Sequence, residues 1–188
     1  SPVLSRRIPL EGSDSPDVLW GVDFPARVAE GERAQLPEKV IVIGGGNVAV
    51  DVALTARRCG AKDATMICLE TREEMPAHPW EIEGALKEGV KLLPSWGPHK
   101  IVLDHGRITG MELIHCVSVF DDQCVFNPKF DETRKWIEAD QVILAIGQAS
   151  DLSFLQGGSP IAVKRGLVVV DEATLETGMK GVYAGGDV

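Results

Sequence analysis

Residues 44–49, Gly44-Gly45-Gly46-Asn47-Val48-Ala49, have the types and spacing that hold a phosphate. Gly44, Gly46 and Ala49 fit the pattern G-x-G-x-x-G/A. In it the first glycine permits a tight turn, the second leaves room for a pyrophosphate, and the third small residue lets helix and strand approach. A helix that starts at such a turn offers free N–H groups and the positive end of its dipole. The arrangement needs a strand before it and a helix after it. Val40-Ile41-Val42-Ile43 reads as a strand buried on both faces, and Val48, Val52, Ala53 and Ala56 recur at helical spacing. A second strand over residues 65–69 ends in Glu70, about twenty residues beyond the turn, where an acid meets ribose hydroxyls in dinucleotide sites. Together these features predict a dinucleotide site rather than a structural glycine-rich turn. Asp51 lies one turn into the helix, where a carboxylate is favoured by the dipole and contact with a cofactor is a secondary role.

No other residues have the spacing of a reactive centre. Cys59, Cys68, Cys116 and Cys124 form no C-x-x-C pair and no cluster with the four histidines, so no zinc, iron–sulfur or other metal site is expected. Cys59 and Cys68 fall in the first helix and second strand, where a thiol packs as a small hydrophobe. Cys116 and Cys124 are close enough for a hairpin to join them; a redox disulfide there is open, and two unactivated thiols are the commoner outcome. His78 reads as a solvated loop histidine, and His99, His105 and His115 take no role. Trp20, Trp80, Trp96 and Trp136 are scattered and read as core and rim packing, with no stacking platform.

The elements that position the turn can be read from the rest of the chain. Its 188 residues, 44% hydrophobic and 25% charged, support one good core and leave a second domain incomplete. A formal net charge of -9 argues against nucleic acid and anionic membrane as partners. The longest apolar runs, 142–146 and 167–170, are far shorter than a membrane span, and residues 1–12 lack the apolar core of a signal peptide, so a cytoplasmic location is expected. An approach segment carries a loop over 6–12 and a short helix over 22–30 ended by Gly31. Cys59-Gly60-Ala61 closes the first helix, 71–78 is a loop, and a second helix runs from Pro79 to Lys87 or Glu88 with Gly89 after it. The period then becomes two. Residues 90–93, 100–103, 108–119 and 135–137 read as short strands of an antiparallel meander, 120–134 as a surface loop within it, and 141–146 as a return strand. Strands are also expected at 167–170 and 181–183. The fold class is α/β: a Rossmann-like doubly wound parallel sheet with a three-stranded antiparallel meander. The missing initiator Met, and a turn at Gly185-Gly186-Asp187 with no helix after it, lead to the expectation of a piece of a longer polypeptide.

Four motifs then stand in a familiar order. The strand-GGGNVAVD-helix unit, the loop Thr71-Arg72-Glu73-Glu74-Met75-Pro76-Ala77 with residues 81–90 after it, the return strand with Ala145-Ile146-Gly147, and Val182-Tyr183-Ala184-Gly185-Gly186-Asp187 together resemble the glutamate synthase small-subunit-like FAD/NAD(P)H oxidoreductases. These belong to the pyridine nucleotide-disulfide oxidoreductase superfamily and are related to thioredoxin reductase and the NADPH end of dihydropyrimidine dehydrogenase. The resemblance implies an NAD(P)H-binding domain over 37–140, inserted between partial FAD-domain segments: a flank and linker over 1–36 and a truncated return segment over 141–188. It assigns Gly44, Gly45, Gly46, Asn47, Val48, Ala49, Glu70, Thr71, Arg72, Ala145, Ile146, Gly147, Gly186 and Asp187 to cofactor binding, with Asp187 on the flavin ribityl chain. The implied activity is hydride transfer between NADH and FAD, with electrons passed to an iron–sulfur or catalytic partner subunit. Such transfer needs stacked rings and excluded water rather than an acid or base, so no catalytic residue is assigned. The glycine turn for the adenosine half of FAD lies outside the sequence, so this chain alone is not expected to retain FAD well.

One departure bears on the cofactor. Many NADPH-using members carry two arginines at the end of the second strand, where this chain has Leu69-Glu70. A carboxylate accepts hydrogen bonds from ribose hydroxyls and repels a 2′-phosphate, so NAD is expected ahead of NADP. Arg72 opposes this if its guanidinium meets a phosphate or adenine, and does not if it pairs with Glu73, Glu74 or a helix acid. Two rivals remain. An S-adenosylmethionine-dependent methyltransferase fits poorly, because Ile43 rather than an acid precedes the turn and such enzymes lack the meander. A non-catalytic interaction module of the same fold is opposed by the intact glycines and Glu70.

Overall fold

Val40, Ile41, Val42 and Ile43 have no polar side chain to show to water, and all four are buried in the middle strand of a parallel sheet. The computed structural model describes residues 3–5, 9–21, 24, 28, 36–150, 152, 155, 160–164 and 167–186. Its elements are β1 (Val3–Ser5), β2 (Val18–Trp20), β3 (Lys39–Ile43), α1 (Asn47–Arg58), β4 (Asp63–Ile67), α2 (Pro79–Lys87), β5 (Lys91–Leu93), β6 (Trp96–Asp104), β7 (Arg107–Phe120), β8 (Phe126–Glu138), β9 (Gln141–Leu144), β10 (Gln148–Ser150), β11 (Val163–Lys164) and β12 (Leu167–Val168). Two compact units result, one of residues 7–147 and the other of 1–6 with 148–188.

In the larger unit β2-β9-β3-β4-β5 form one parallel sheet. Successive side chains of a strand face opposite ways, so β3 serves two cores. Val40 and Val42 meet Val50, Val52 and Ala53 of α1 with Ile82 and Ala85 of α2. Ile41 and Ile43 meet Met111 and Leu113 of the antiparallel meander β6-β7-β8. The layers are therefore helices, parallel sheet and meander, as the period changes along the sequence predict. In the smaller unit β1 pairs antiparallel with β10 and β11 with β12. Among the described residues no helix is long and apolar enough to cross a membrane.

Several boundaries differ from expectation. Residues 120–134 are not a loop: the turn is 121–125, and 126–138 is strand β8. Nearly every β8 side chain is exposed, so this edge strand carries no apolar alternation from which to read it. Residues 91–93 join the parallel sheet beside β4 rather than the meander, because the helix before them returns the chain parallel to β4. The strand before Glu70 stops at Ile67, and the return strand at Leu144 rather than Ile146. Of the late strands, 167–168 pairs with β11, while Val170 and Tyr183 make single bridges to Thr177 and Glu176. In the expected helix over 22–30, Phe24 and Val28 are helical and Phe24 is buried; residues 22–23, 25–27 and 29–31 lie outside the described residues, as do 6–8 of the expected loop.

The ends of the two helices are tied together by one side chain. Arg57 Nη1 donates to the carbonyls of Ala61 (2.7 Å) and Lys62 (2.6 Å), and its Nε donates to that of Glu88 (3.3 Å). These are orphan acceptors at and beyond helix C-termini, where a cation also suits the dipole. Arg58, by contrast, pairs with Glu88 in solvent. Arg57→Ala is expected to lower the unfolding free energy in urea by about 2 kcal/mol, whereas Arg58→Ala shifts the midpoint by no more than the scatter between repeats.

Candidate dinucleotide site at the glycine turn

The three middle strands of the sheet end together, and the glycine turn leaves from the central one. Gly44 N–H donates to Ile67 O (2.9 Å) and Ala145 N–H donates to Ile43 O (2.8 Å), which draws the segments after β4 and β9 against the turn. Gly44 sits at φ +146°, and a Cβ there would lie 2.3 Å from Ala145 O and 3.1 Å from Ala49 Cβ. No side chain fits, and residue 49 has to be small. A Cβ on Gly45 would lie 2.8 Å from Glu70 Oε2 and 3.1 Å from Cys68 Cβ. Gly46 differs: at φ −91° and ψ 174° its backbone is ordinary, and a Cβ would meet only Pro76 Cγ at 4.0 Å.

Open space therefore lies where the second glycine of the motif must admit its ligand. Gly46 is the N-cap of α1, and no described side chain caps this end. Among the described residues nothing accepts the N–H groups of Gly45, Gly46, Asn47 or Val48. Free donors at the positive end of a twelve-residue helix, beside open space, suit a pyrophosphate.

The loop over 71–78 folds back onto this turn. Ala77 N–H donates to Gly45 O (3.2 Å), and His78 N–H donates to Asn47 Oδ1 (2.9 Å). Met75 and Ala77 are buried against the helix-side core. Thr71 and Glu74 close the loop's own turn: Glu74 Oε2 accepts from Thr71 N–H (3.2 Å) and Oγ1 (2.8 Å), and Glu74 N–H donates to Thr71 O (3.2 Å). Glu74 is thus occupied, and Arg72, half-buried, makes no ion pair with a described residue. Glu70, also half-buried, places its carboxylate beside Gly45, where no described donor meets it. Beneath it Cys68 Sγ donates to Glu70 O (3.5 Å). Burial, then the nearby Glu70 carboxylate, pushes the Cys68 thiol up to about 12. The meander braces the same corner, since Ser95 N–H donates to Glu70 O and Trp96 N–H to Cys68 O, each at 2.9 Å.

The structure therefore brings together Gly44, Gly45, Gly46, Asn47, Val48 and Ala49 with Glu70, Thr71, Arg72 and Ala145. Ile146 packs on the meander-side core, and Gly147 follows at φ +97°. Gly186, exposed and at φ +79°, belongs to the other unit, and Asp187 lies outside the described residues. Sequence reading missed the second link, because a side chain accepting a backbone N–H thirty-one residues away leaves no periodic trace. It also missed a stacked pair: the rings of His78 and Trp80 lie 4.3 Å apart and 8° from parallel, on the exposed side of the same corner.

The Pyridine nucleotide-disulphide oxidoreductase family matches residues 3–188, and the chain belongs to it. The family's members bind FAD and NAD(P)H and are oxidoreductases. Over 189 residues the chain is 42% identical to the NADP(+)-dependent formate dehydrogenase subunit beta of Moorella thermoacetica, covering 98% of this chain and 27% of that protein. It is 32% identical over 200 residues to the Glutamate synthase [NADPH] small chain of Azospirillum brasilense, covering 98% of this chain and 41% of that protein. Among solved structures, T. acidophilum thioredoxin reductase superposes with a TM-score of 0.73 at 21% identity, over 99% of this chain and 55% of that one, which shows the shared fold. The chain thus spans between about a quarter and two fifths of these two curated relatives.

The thiols give a direct check on the corner. Cys68 and Cys116 are buried, with burial raising both, while Cys124 is exposed. At pH 8 a maleimide is expected to label Cys124 within minutes and to leave Cys68 and Cys116 unlabelled until denaturant is added, as mass spectrometry of the peptides would read.

Proposed function

We propose that the chain is the nucleotide-binding part of a flavoprotein oxidoreductase, with residues 37–140 as the NAD(P)H domain and the strands on either side leading to an FAD domain of the same polypeptide. The observation that carries this is the open face of Gly46 with free N–H groups beside it. When bound, reduced nicotinamide supplies a hydride and flavin accepts it. The chain's own part is placement. Gly45, Gly46, Asn47 and Val48 would donate to the pyrophosphate, Ala49 lets the helix approach, and Glu70 would accept from the ribose hydroxyls with Thr71 beside it. Ala145 backs the turn, Ile146 and Gly147 would extend that side of the cofactor site, and Gly186 and Asp187 would serve the flavin. Electrons leave to an iron–sulfur or catalytic partner subunit, in keeping with the relative named as a subunit beta. Four free cysteines suit a reducing, cytoplasmic setting.

Between the two nucleotides, the Glu70 carboxylate beside Gly45 favours NADH, because a 2′-phosphate there would meet like charge. A second reading, NADPH, has its own support: Arg72 has no described carboxylate partner, and the two curated relatives carry NADP in their names. Calorimetric titration with NADH, NADPH and S-adenosylmethionine decides. The proposal expects NADH to bind more tightly, Glu70→Ala to erase the preference, and Gly46→Val to abolish binding while the circular dichroism stays native, since that Cβ meets no protein atom inside 4.0 Å. Tighter NADPH lost with Arg72→Ala would establish the second reading. Binding of S-adenosylmethionine alone would overturn both.

A further inference from the structure

Asn47 and His78 are joined by a hydrogen bond that the binding role alone does not require. Asn47 is the first residue of α1, directly after the turn offered to the pyrophosphate, and His78 is the N-cap of α2. The His78 N–H donates to Asn47 Oδ1 at 2.9 Å, which fixes the amide and leaves its Nδ2 as a free donor. With the bond from Ala77 N–H to Gly45 O, it closes a ring of chain: turn, α1, β4, Glu70, Arg72 and back to the turn. The residues that would meet the ribose and those that would meet the pyrophosphate are thereby held at one spacing.

A second observation shows that this pairing displaces another. Glu81 is the third residue of α2, from which a glutamate ordinarily reaches back to the N-cap N–H. That N–H is already given to Asn47, and Glu81 Oε2 is buried with no hydrogen-bond partner among the described residues. Two acceptors thus compete for one donor, and the one on the glycine-turn helix holds it. A buried carboxylate oxygen left without a partner costs free energy, so the fold gives up local helix capping for the longer-range link.

We infer that Asn47 is a positioning residue for nucleotide selectivity: its side-chain carbonyl, by holding the His78 N–H, registers the Glu70–Arg72 segment against the pyrophosphate turn. The inference rests on the proposed dinucleotide reading and deepens it. A ligand rigid enough to span both places discriminates at the ribose only if the two are held at a fixed distance. When the link is cut, both nucleotides still find the turn, but the 2′ position is no longer judged by a fixed carboxylate or guanidinium.

The test uses the full polypeptide and compares Kd for NADH and NADPH across three variants. Asn47→Ala removes the acceptor, and the Glu81 carboxylate is then available to cap α2, so the helix is retained. His78→Pro removes the donor instead; at φ −61° and ψ 135° the N-cap already has the backbone of a proline. Asn47→Asp keeps the acceptor and adds a charge. The inference expects the ratio of the two Kd values to fall by roughly fivefold or more in both Asn47→Ala and His78→Pro. In Asn47→Asp both affinities weaken together and the ratio is kept. Equal weakening of both nucleotides in Asn47→Ala and His78→Pro, at unchanged ratio, would overturn it and leave Asn47 a plain phosphate contact. Failure of the unaltered protein to bind either nucleotide would instead strike at the dinucleotide reading itself. Unfolding of Asn47→Ala leaves the decision with His78→Pro, whose site outside the helix spares every α2 hydrogen bond.

Discussion

The carbonyl of Ala145 would stand 2.3 Å from any Cβ placed on residue 44, and much of the molecule follows from that crowding. Three parallel strands end at one level, and the segment after β9 crosses directly behind the first glycine. The chain can leave β3 only through a residue without a side chain, and α1 must start at once, close against the sheet, with Ala49 at its nearest approach. The N-cap of that helix is a glycine, which has no side chain to cap it. Among the described residues the helix's free N–H groups open onto a side of the turn left unfilled, at Gly46. The uncapped donors of a helix N-terminus thus follow from how the sheet is packed.

The second tier of the site is built from what the first leaves over. Glu74 is absorbed by Thr71, Cys68 is buried beneath Glu70, and the meander contributes backbone donors that hold the Glu70 and Cys68 carbonyls. Glu70 and Arg72, both half-buried beside or after the turn's neighbouring strand, stay without a described side-chain partner, and under the proposed reading they stand on opposite sides of the choice between two nucleotides that differ by a phosphate. Family membership fits this division of labour: the cofactors carry the chemistry, and the polypeptide supplies distance and charge.

The central unit was legible in the sequence because each of its constraints acts locally. An apolar β-branched run, a glycine turn, a helical apolar stripe and an acid at the next strand's end each leave a mark within a few residues, and the parallel sheet with its meander follows from the change of period. Of strand β8 only the end at 135–137 was legible, because an edge strand exposed on both faces has little burial to pattern it. The assignment of residues 91–93 to the meander failed because a three-residue strand shows the same alternation whichever sheet it joins. The surface pairing open to Arg72 did not form with Glu74, since Thr71 offers that carboxylate two donors at once. The Asn47–His78 link and the His78–Trp80 stack depend on tertiary approach, which no sequence period records.

In the proposed function the free N–H groups after Gly44 anchor a dinucleotide pyrophosphate. The most direct measurement is a ¹⁵N–¹H correlation titration of the chain with NADH and, separately, with inorganic pyrophosphate. The account predicts saturable shifts concentrated on the amides of Gly45, Gly46, Asn47 and Val48 for both ligands, with Glu70, Thr71 and Arg72 moving only for the nucleotide. Saturable NADH binding that leaves those four amides in place would contradict it.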